Sequence, residues 1–306
     1  MLKIEKLAGI DIGSNAIRLL IANVLTEKNG NTPTFNKSAL VRVPIRLGAD
    51  TFLQGKISEE NKERMIKAME AFKLLMEIHG VHQFKAFATS AMREAKNCTE
   101  VIHEIFDKTA IKIDVINGKQ EAEILFSQDL SQVLKNDRSY LYIDVGGGST
   151  EFIIFSNGKI INSKSYEIGT VRLLNSKKGT KEIWENIEIW IKANTQNLKK
   201  LSLVGSGGNI NKLFKLSGQP MGKPLTLMYL KTQYQFLKQM TFEQRISELG
   251  LNPDRADVII PATKIYLSAM KWSGAKKIYV PKIGLSDGIV KNLYYDNLKK
   301  NSEIMI

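Results

Sequence analysis

Cysteine and histidine are scarce in this sequence, which has one Cys and three His among 306 residues. The single cysteine, Cys98, excludes an intramolecular disulfide and a cysteine metal cluster. The histidines, at positions 79, 82 and 103, lack the spacing of a zinc-protease motif. Any metal ion bound by this chain would therefore be held by carboxylates.

Long apolar segments are also missing. No stretch approaches the roughly 20 apolar residues that a membrane-spanning helix requires. Residues 1–6 carry charged side chains where a secretion signal needs an apolar run. We therefore expect a cytoplasmic protein that has no membrane partner.

The composition is that of a folded, basic protein. Hydrophobic residues make up 43% of the chain, and 306 residues suffice for two domains, each with its own core. Lys and Arg number 44 against 31 Asp and Glu, a formal net charge of +13. This excess favours polyanionic partners by concentrating them at the surface. The same excess is typical of a lysine-rich surface that only maintains solubility. Composition alone slightly favours this second explanation.

The most informative stretch is a glycine turn between two apolar strands, at residues 142–154. The glycines at 146–148 have no Cβ atoms to keep an anion away, and they permit conformations that point successive N–H groups into one concavity. Ser149 and Thr150 add hydroxyl donors, and Asp144 lies where Mg²⁺ could bridge its carboxylate to a phosphate. The P-loop lysine is absent, and a strand follows where a dinucleotide-binding motif requires a helix. We therefore predict a phosphate-binding turn.

This turn occurs twice in the chain. Aligning Asp11 with Asp144 also aligns Gly13 with Gly146 and the apolar residues that follow each turn. Each copy alone is equally well explained as an ordinary glycine-turned hairpin. Two copies separated by about the length of a domain indicate an internal repeat.

The remaining pattern predicts two halves with the same plan. In the first half we predict strands at 7–12, 16–24, 36–46, 82–88 and 111–116, and helices that begin near Ser58, Ser90 and Gly118. In the second we predict strands at 141–144, 151–155, 159–166, 201–204 and 276–280, and helices at 170–175, 181–198 and 254–270 and from 210 and 284. Three antiparallel strands followed by alternating helices and strands imply that the later strands add in parallel to the same sheet.

Polar residues stand at several junctions between strands and helices. Thr89 precedes a helix start, where unpaired N–H groups favour anions. Arg93 lies in the first turn of that helix, where a cation opposes the helix dipole, so we expect it to have an anionic partner, either a phosphate or a carboxylate. Glu121 occupies a similar junction. Glu151 lies within a strand, and its position alone suggests a side chain that faces solvent.

A third glycine turn, at residues 205–208, leads from a strand into a helix and ends at Asn209. Taken alone, it is best explained as a tight connection that needs no ligand.

A series of motifs resembles those of the exopolyphosphatase and guanosine pentaphosphate phosphohydrolase family, within the superfamily of actin, sugar kinases and heat-shock chaperone ATPases. The motifs are residues 10–15, residues 88–93 with Ala95 and Asn97, Gly118 with Glu121 and Ala122, and residues 144–151, 169–173, 205–208, 255–259 and 284–288. The resemblance implies an α/β fold of two actin-like (ribonuclease H-like) domains around an interdomain cleft, each a mixed five-stranded sheet flanked by helices. It places the first domain at residues 1–118 plus about 289–306 and the second at 119–288, the short form of the family.

The same resemblance implies roles for individual residues. Glu121 is the base or water-orienting group, and Arg93 stabilises equatorial phosphate oxygens or forms a salt bridge. Asp144 and Glu151 hold Mg²⁺ or an activated water, and Asp11 either joins the metal site or caps its turn. The implied substrate-binding residues are Gly13, Ser14, Asn15, Gly146, Gly147, Gly148, Ser149, Thr150, Gly207, Gly208 and Asn209.

Two residues depart from the family pattern. Asn209 stands where the third turn usually ends in threonine, which leaves the contact at that corner open. Gln120 replaces the acid that is common before Glu121.

The implied activity is release of terminal orthophosphate from inorganic polyphosphate, of the 5′-phosphate from guanosine pentaphosphate, or both, without a nucleic acid partner. Two other classes stay open: an ATP-dependent small-molecule kinase that uses the same cleft, and a non-catalytic sensor of polyphosphate or guanosine tetraphosphate. Phosphate release without ADP formation separates the hydrolase from the kinase, and tight binding without release indicates the sensor. The preferred substrate and the oligomeric state, a homodimer included, stay open.

Overall fold

The computed structural model describes residues 2–27, 32–126, 137–175 and 180–304. The strands are β1 Leu2–Ile12, β2 Ile17–Glu27, β3 Thr34–Val43, β4 Gln83–Ala88, β5 Ile113–Val115, β6 Ser139–Val145, β7 Thr150–Ser156, β8 Lys159–Tyr166, β9 Ser202–Ser206, β10 Leu225–Thr226 and β11 Lys277–Tyr279. The helices are α1 Leu47–Gln54, α2 Glu59–Ile78, α3 Ser90–Glu94, α4 Cys98–Thr109, α5 Gly118–Phe126, α6 Thr170–Asn175, α7 Thr180–Thr195, α8 Gly208–Leu216, α9 Leu227–Gln239, α10 Phe242–Ser247, α11 Pro253–Ala256, α12 Ile259–Ser273 and α13 Leu285–Ile304. The chain divides into two units, one of Met1–Gln128 with Gly284–Ile306 and one of Asp129–Ile283.

The first unit contains a five-stranded sheet in the order β3-β2-β1-β4-β5. The first three strands are antiparallel, and β4 and β5 then add in parallel to β1. Successive side chains of a strand point to opposite faces, and both faces are covered. Met65 and Phe72 of α2 are buried against one face, and Val290 and Leu293 of α13 are buried against the other. The sheet is therefore flanked by helices, as predicted.

The second unit repeats this topology. Its sheet has the order β10-β11-β9-β6-β7-β8, in which β6, β7 and β8 are antiparallel and β9 and β11 add in parallel. The predicted class of two mixed sheets flanked by helices is confirmed. This sheet has one strand more than predicted, because β10 pairs with the far edge of β11. A strand of two residues is too short to show any periodic pattern.

Local sequence signals account for several element boundaries. The hydroxyl of Ser58 accepts a hydrogen bond from the Asn61 N–H at 3.3 Å, and so caps α2 at the predicted start. Asn157 and Gly158 have φ angles of 53° and 74°, as a two-residue hairpin turn requires, and they join β7 to β8.

The single helix predicted at 254–270 is wrong. The structure has two helices there, with a break at Asp257 and Val258 between α11 and α12. Pro261 explains the break, because proline has no N–H to donate to the carbonyl four residues earlier and its ring clashes with that carbonyl. In the first turn of α12 the same proline is tolerated, since no intrahelical bond is required of it there.

The first unit extends beyond the predicted boundaries at 118 and 288. A Cβ atom added to Gly288 would lie 2.3 Å from the carbonyl oxygen of Ile124, so α13 and α5 are in direct backbone contact. This contact explains why residues up to 128 and from 284 group with the first unit. The division into folding domains stays a prediction. Among the described residues, no helix is both long and apolar enough to cross a membrane.

Candidate active site

The second glycine turn joins β6 to β7. It is closed by a hydrogen bond from the Gly146 N–H to the Ser149 carbonyl at 3.0 Å. Strand pairing places Asp144 directly opposite Glu151, so both carboxylates lie on one face of the sheet with Cβ atoms about 5 Å apart.

Glu151 is buried, with 1% of its surface exposed. One of its carboxylate oxygens accepts hydrogen bonds from the hydroxyls of Ser149 at 2.7 Å and Ser165 at 3.0 Å. The expectation from position alone, a side chain that faces solvent, is wrong because β8 lies beside β7 and Ser165 stands opposite Glu151. A carboxylate that is buried and held by hydroxyl donors is typical of a residue with a functional role.

Helix α6 is bonded to the carbonyl groups of the same glycine turn. Four hydrogen bonds connect them: Thr170 N–H to the Gly146 carbonyl at 3.0 Å, Val171 N–H to the Gly147 carbonyl at 2.8 Å, Arg172 N–H to the Gly147 carbonyl at 3.1 Å, and Arg172 Nε–H to the Gly148 carbonyl at 2.9 Å. Three consecutive carbonyls therefore point toward α6.

The orientation of these carbonyls fixes the orientation of the N–H groups. In a trans peptide the C=O and the N–H point in opposite directions, and the structure shows no cis peptide among its described residues. The N–H groups of Gly147, Gly148 and Ser149 consequently point away from α6, to the other side of the turn. Successive N–H groups that share one side form an anion-binding concavity.

The third glycine turn lies against Asp144. The parallel pairing of β6 with β9 sets Asp144 beside Ser206, and a Cβ atom added to Gly207 would lie 3.2 Å from Asp144 Oδ1. The buried hydroxyl of Tyr266 donates a hydrogen bond to the Ser206 carbonyl. Burial raises the pKa of Tyr266 well above its usual value, and the negative charge of Asp144 raises it further, so this hydroxyl remains a donor. Asp144 and the third turn are thus neighbours.

Asn209 lies in the first turn of α8, directly after Gly208. A guanidinium nitrogen of Arg255 donates to the Gly208 carbonyl at 3.4 Å. The side-chain oxygen of Asn209 is buried, and it accepts no hydrogen bond from the part of the chain that the structure describes. The amide therefore has hydrogen-bonding capacity left for a ligand.

The first glycine turn, in the first unit, uses some of its polar groups internally. The buried hydroxyl of Ser14 is hydrogen-bonded to the hydroxyl of Ser90 at 2.8 Å. Asp11 forms an ion pair with Arg18 at 2.6 Å across the β1–β2 pair. The carbonyl of Asn15 accepts from the backbone N–H of the residue before α1 at 3.1 Å. These contacts do not test the predicted roles of Ser14, Asn15 and Asp11, which stay predictions.

Glu121 and Arg93 are positioned at one junction. Asn117 and Gln120 form a reciprocal cap, in which each backbone N–H donates to the other side chain at 2.9 Å. The cap fixes the start of α5 and thereby Glu121, which is 7% exposed. Arg93 donates to the carbonyl of Ile116 at 2.8 Å, just before the cap. Among the described residues the partner of Arg93 is thus a backbone carbonyl rather than the carboxylate expected as one alternative, and its guanidinium has further donors for a ligand.

The carboxylates offer a partial metal site. Among the described residues, no group of three or more His, Cys, Asp and Glu side chains is placed to hold a metal ion. Asp144 and Glu151 form a pair on one face of the sheet. A pair suits Mg²⁺, which keeps several waters and is usually held by one or two carboxylates together with substrate phosphates.

Sequence reasoning missed three residues that contact the predicted site residues or their turns. Ser165 donates to Glu151, Tyr266 supports the third turn, and Arg18 neutralises Asp11. The internal repeat contains a signal for Arg18, because the alignment that matches Asp11 with Asp144 also matches Arg18 with Glu151. No local pattern marks the other two.

The positive charge of the chain is unevenly divided. Residues 129–283 contain 23 Lys and Arg against 12 Asp and Glu, a net charge of +11 out of +13 for the chain. The rest of the chain has 21 basic and 19 acidic residues. The excess positive charge, which favours anionic partners, therefore lies in the second unit.

Comparison with known proteins relates this site to one family. A model of the Ppx/GppA phosphatase family matches residues 38–296. A bifunctional 3-dehydroquinate synthase/phosphatase of Fusobacterium nucleatum is 32% identical over 89% of this chain, which spans only 44% of that protein. Exopolyphosphatase 2 of Mycobacterium tuberculosis is 26% identical, with 95% of this chain and 99% of that protein aligned.

A solved structure of the Aquifex aeolicus member of the Ppx/GppA family has the same fold. It superposes with a TM-score of 0.76 at 26% identity and covers 98% of this chain and 99% of its own. The predicted fold class and the resemblance are thereby confirmed. The chain belongs to the Ppx/GppA phosphatase family.

Proposed function

We propose that this protein is a phosphoanhydride hydrolase that releases terminal orthophosphate from inorganic polyphosphate, the 5′-phosphate from guanosine pentaphosphate, or both. The observation that carries the proposal is the glycine turn at 146–149, whose N–H groups point to one side, next to the carboxylates of Asp144 and Glu151. Relatives that are named exopolyphosphatases support this class of substrate. We also propose that the enzyme acts in the cytoplasm.

The glycine turn provides hydrogen bonds for phosphate oxygens. Phosphoryl transfer requires little covalent chemistry from the protein, which mainly positions the groups and stabilises the charge that develops on the transferred phosphoryl. Backbone N–H groups that are already oriented do this without reorganising during the reaction. The N–H groups of Gly147, Gly148 and Ser149 have this role, with the amide of Asn209 as a further candidate contact. The predicted contact from the Thr150 hydroxyl is not part of the proposal, because that hydroxyl is buried and donates to the Ile168 carbonyl.

Glu121 orients the attacking water and accepts its proton. As the water oxygen bonds to the terminal phosphorus, the bond to the bridging oxygen breaks, and the shortened chain leaves with that oxygen and its electron pair. Arg93 has guanidinium donors beyond the one bonded to Ile116, and they stabilise the equatorial oxygens. Asp144 and Glu151 hold Mg²⁺, which supplies positive charge to the phosphate oxygens when it is bound.

The proposal is tested by measuring phosphate release from long-chain polyphosphate and from guanosine pentaphosphate, with Mg²⁺ and without nucleotide acceptors. We expect release without ADP formation. Glu121→Gln should abolish release but leave polyphosphate binding largely intact, because the base acts on water rather than on bound phosphate. Glu123→Gln is the matched control, since Glu123 is an exposed carboxylate on the same helix, and it should behave as wild type.

The other outcomes discriminate between classes. Phosphate transfer only to an acceptor would identify a kinase. Tight polyphosphate binding without release by the wild type would identify a sensor. Equal loss of binding and release in Glu121→Gln would remove Glu121 from the role of base.

A further inference from the structure

We propose that α6 is a clamp that holds the glycine turn at 146–149 in its anion-binding form, and that Gly169 and Arg172 are its positioning residues. The inference rests on the proposed function, because it presumes that this turn binds phosphate. It assigns a role to the motif at residues 169–173, which the mechanism above does not use.

A clamp adds to the turn's own closing bond, from the Gly146 N–H to the Ser149 carbonyl, because three successive glycines are costly to order. Glycine loses more conformational freedom on folding than any other residue, and this turn contains three glycines in succession. If the ligand had to order the turn, binding would be weak, because the conformational entropy lost on ordering opposes binding. The four hydrogen bonds from α6 fix three consecutive peptide groups before any ligand arrives.

Gly169 allows α6 to approach closely enough to make these bonds. A Cβ atom added to Gly169 would lie 2.4 Å from both the carbonyl carbon and the oxygen of Gly147, and 2.5 Å from the nitrogen of Gly148. Ordinary contacts of carbon require about 3.5 Å, so any larger residue would displace the start of α6 by about 1 Å. The bonds of 2.8–3.1 Å between the α6 amides and the turn would then exceed hydrogen-bonding distance.

Arg172 holds the last peptide group of the turn. Its Nε–H donates to the Gly148 carbonyl at 2.9 Å, which turns the N–H of Ser149 to the anion side. A second tether secures the clamp itself, because the hydroxyl of Thr150 donates to the carbonyl of Ile168, just before Gly169. The clamp is therefore tied to β7 as well as to the turn.

The first unit contains the same device, which argues against coincidence. Helix α1 follows β3 as α6 follows β8, and the Gly48 N–H donates to the Ser14 carbonyl at 2.8 Å. A Cβ atom added to Gly48 would lie 2.9 Å from the Cβ of Ser14 and 2.7 Å from the ring of Phe52. In both units a helix that begins near a closely packed glycine holds the carbonyl side of the glycine turn.

The test compares three variants by titration with inorganic tripolyphosphate, following the amide NMR signals of Gly147, Gly148 and Ser149. Gly169→Ala should weaken tripolyphosphate binding on the order of tenfold or more, because hydrogen bonds to a charged ligand are lost. It should also raise KM and lower kcat for phosphate release. The control is Leu173→Ala, a partly buried position on the same helix that makes none of the clamp bonds, and it should retain wild-type affinity even if its Tm falls.

Arg172→Gln gives a second readout if Gly169→Ala does not fold. It should move the Ser149 amide signal in the absence of ligand and weaken tripolyphosphate several-fold. The clamp is refuted if both variants bind tripolyphosphate as wild type does, or if Leu173→Ala loses as much affinity as Gly169→Ala. If the amide signals of the wild type do not shift on titration, the proposal of a phosphate site at this turn is refuted, and the proposal of a clamp is refuted with it. Wild-type shifts combined with unaffected variants refute the clamp alone.

Discussion

Replacing Gly207 by alanine tests how the third glycine turn supports Asp144. Gly207 has φ 107° and ψ 161°, a backbone region that is essentially restricted to glycine. A Cβ atom there would also lie 3.2 Å from Asp144 Oδ1 and 3.2 Å from the Val145 carbonyl. The substitution therefore strains the backbone and displaces the Asp144 carboxylate by a few tenths of an ångström.

The expected magnitudes follow from these two effects. Backbone strain of this kind reduces the free energy of unfolding by about 1–3 kcal/mol. For a unit of this size, each kcal/mol lowers the Tm by about 2–4 °C, so we expect a Tm lower by about 2–12 °C. A misplacement of 1 Å reduces catalysis about a hundredfold, so the smaller shift of Asp144 should reduce kcat/KM for phosphate release about tenfold.

Gly274→Ala is the matched control. Gly274 also has a positive φ, 72°, but no atom of the described residues lies within 4 Å of its added Cβ, and it is the C-cap of α12 in the same unit. It should lose about 1–2 kcal/mol of stability from its left-handed backbone alone and release phosphate at the wild-type rate. Thermal unfolding and phosphate release are measured for both variants. Wild-type kcat/KM in Gly207→Ala, or the same loss of activity in both variants, would refute the reasoning.

Three further predictions concern metal, substrate length and stability. Asp144→Asn should raise the Mg²⁺ concentration needed for half-maximal release, because the ligand loses its charge and keeps its shape; unchanged Mg²⁺ dependence removes Asp144 from the metal site. Because the excess charge lies in residues 129–283, KM should fall with polyphosphate length, and affinity for long chains should fall more steeply with salt than affinity for guanosine pentaphosphate. Equal KM values for short and long chains, with equal salt slopes, would contradict this. Lys62 forms ion pairs with three glutamates at 2.8–3.0 Å, and the pKa of one of them, Glu104, is lowered by Lys108 and by Lys62. A carboxyl group whose pKa is lowered by folding stabilises the fold at pH values above its ordinary pKa, and this stabilisation is lost as pH falls. The Tm difference between wild type and Lys62→Met should therefore be largest near neutral pH and shrink below about pH 4. A pH-independent difference would contradict the ion-pair account.

The sequence predicted the elements whose signals are local. The glycine turns, the cap at Ser58 and the hairpin at Asn157 are properties of adjacent residues, and the structure has them at the predicted positions. The repeat of the first hairpin at Asp144 was visible because a turn and its two strands occupy one short stretch. Helices α1, α4, α9 and α10 were not predicted. Buried apolar residues recur at helical spacing in α4, at Val101 and Ile105, and in α9, at Leu230 and Leu237, so these two helices were predictable, whereas α10 has six residues and buries none of them.

The parts that could not be predicted are contacts between distant segments. Gly169 matched a motif, but glycine is required there because of the backbone of Gly147. Gly147 lies 22 residues earlier in the chain and is brought close only by the sheet. The donors to Glu151 come from a neighbouring strand, and the support of the third turn comes from α12. Gln120 is an exception, because it caps α5 together with Asn117, three residues earlier. An Asn followed three residues later by a Gln is a sequence signal of a helix start, but Gln120 was noted only as a departure from the family.

Each copy of the hairpin has an aspartate at the equivalent position, and the two copies differ in the residue that stands opposite it. Opposite Asp11 stands Arg18, and opposite Asp144 stands Glu151. One copy thus pairs its acid with a cation, while the other sets its acid opposite a second acid. A repeat that preserves the backbone thus differs in charge at this position, so that exchanging the residues at 18 and 151 would exchange which unit contains a cation–anion pair and which contains a pair of acids.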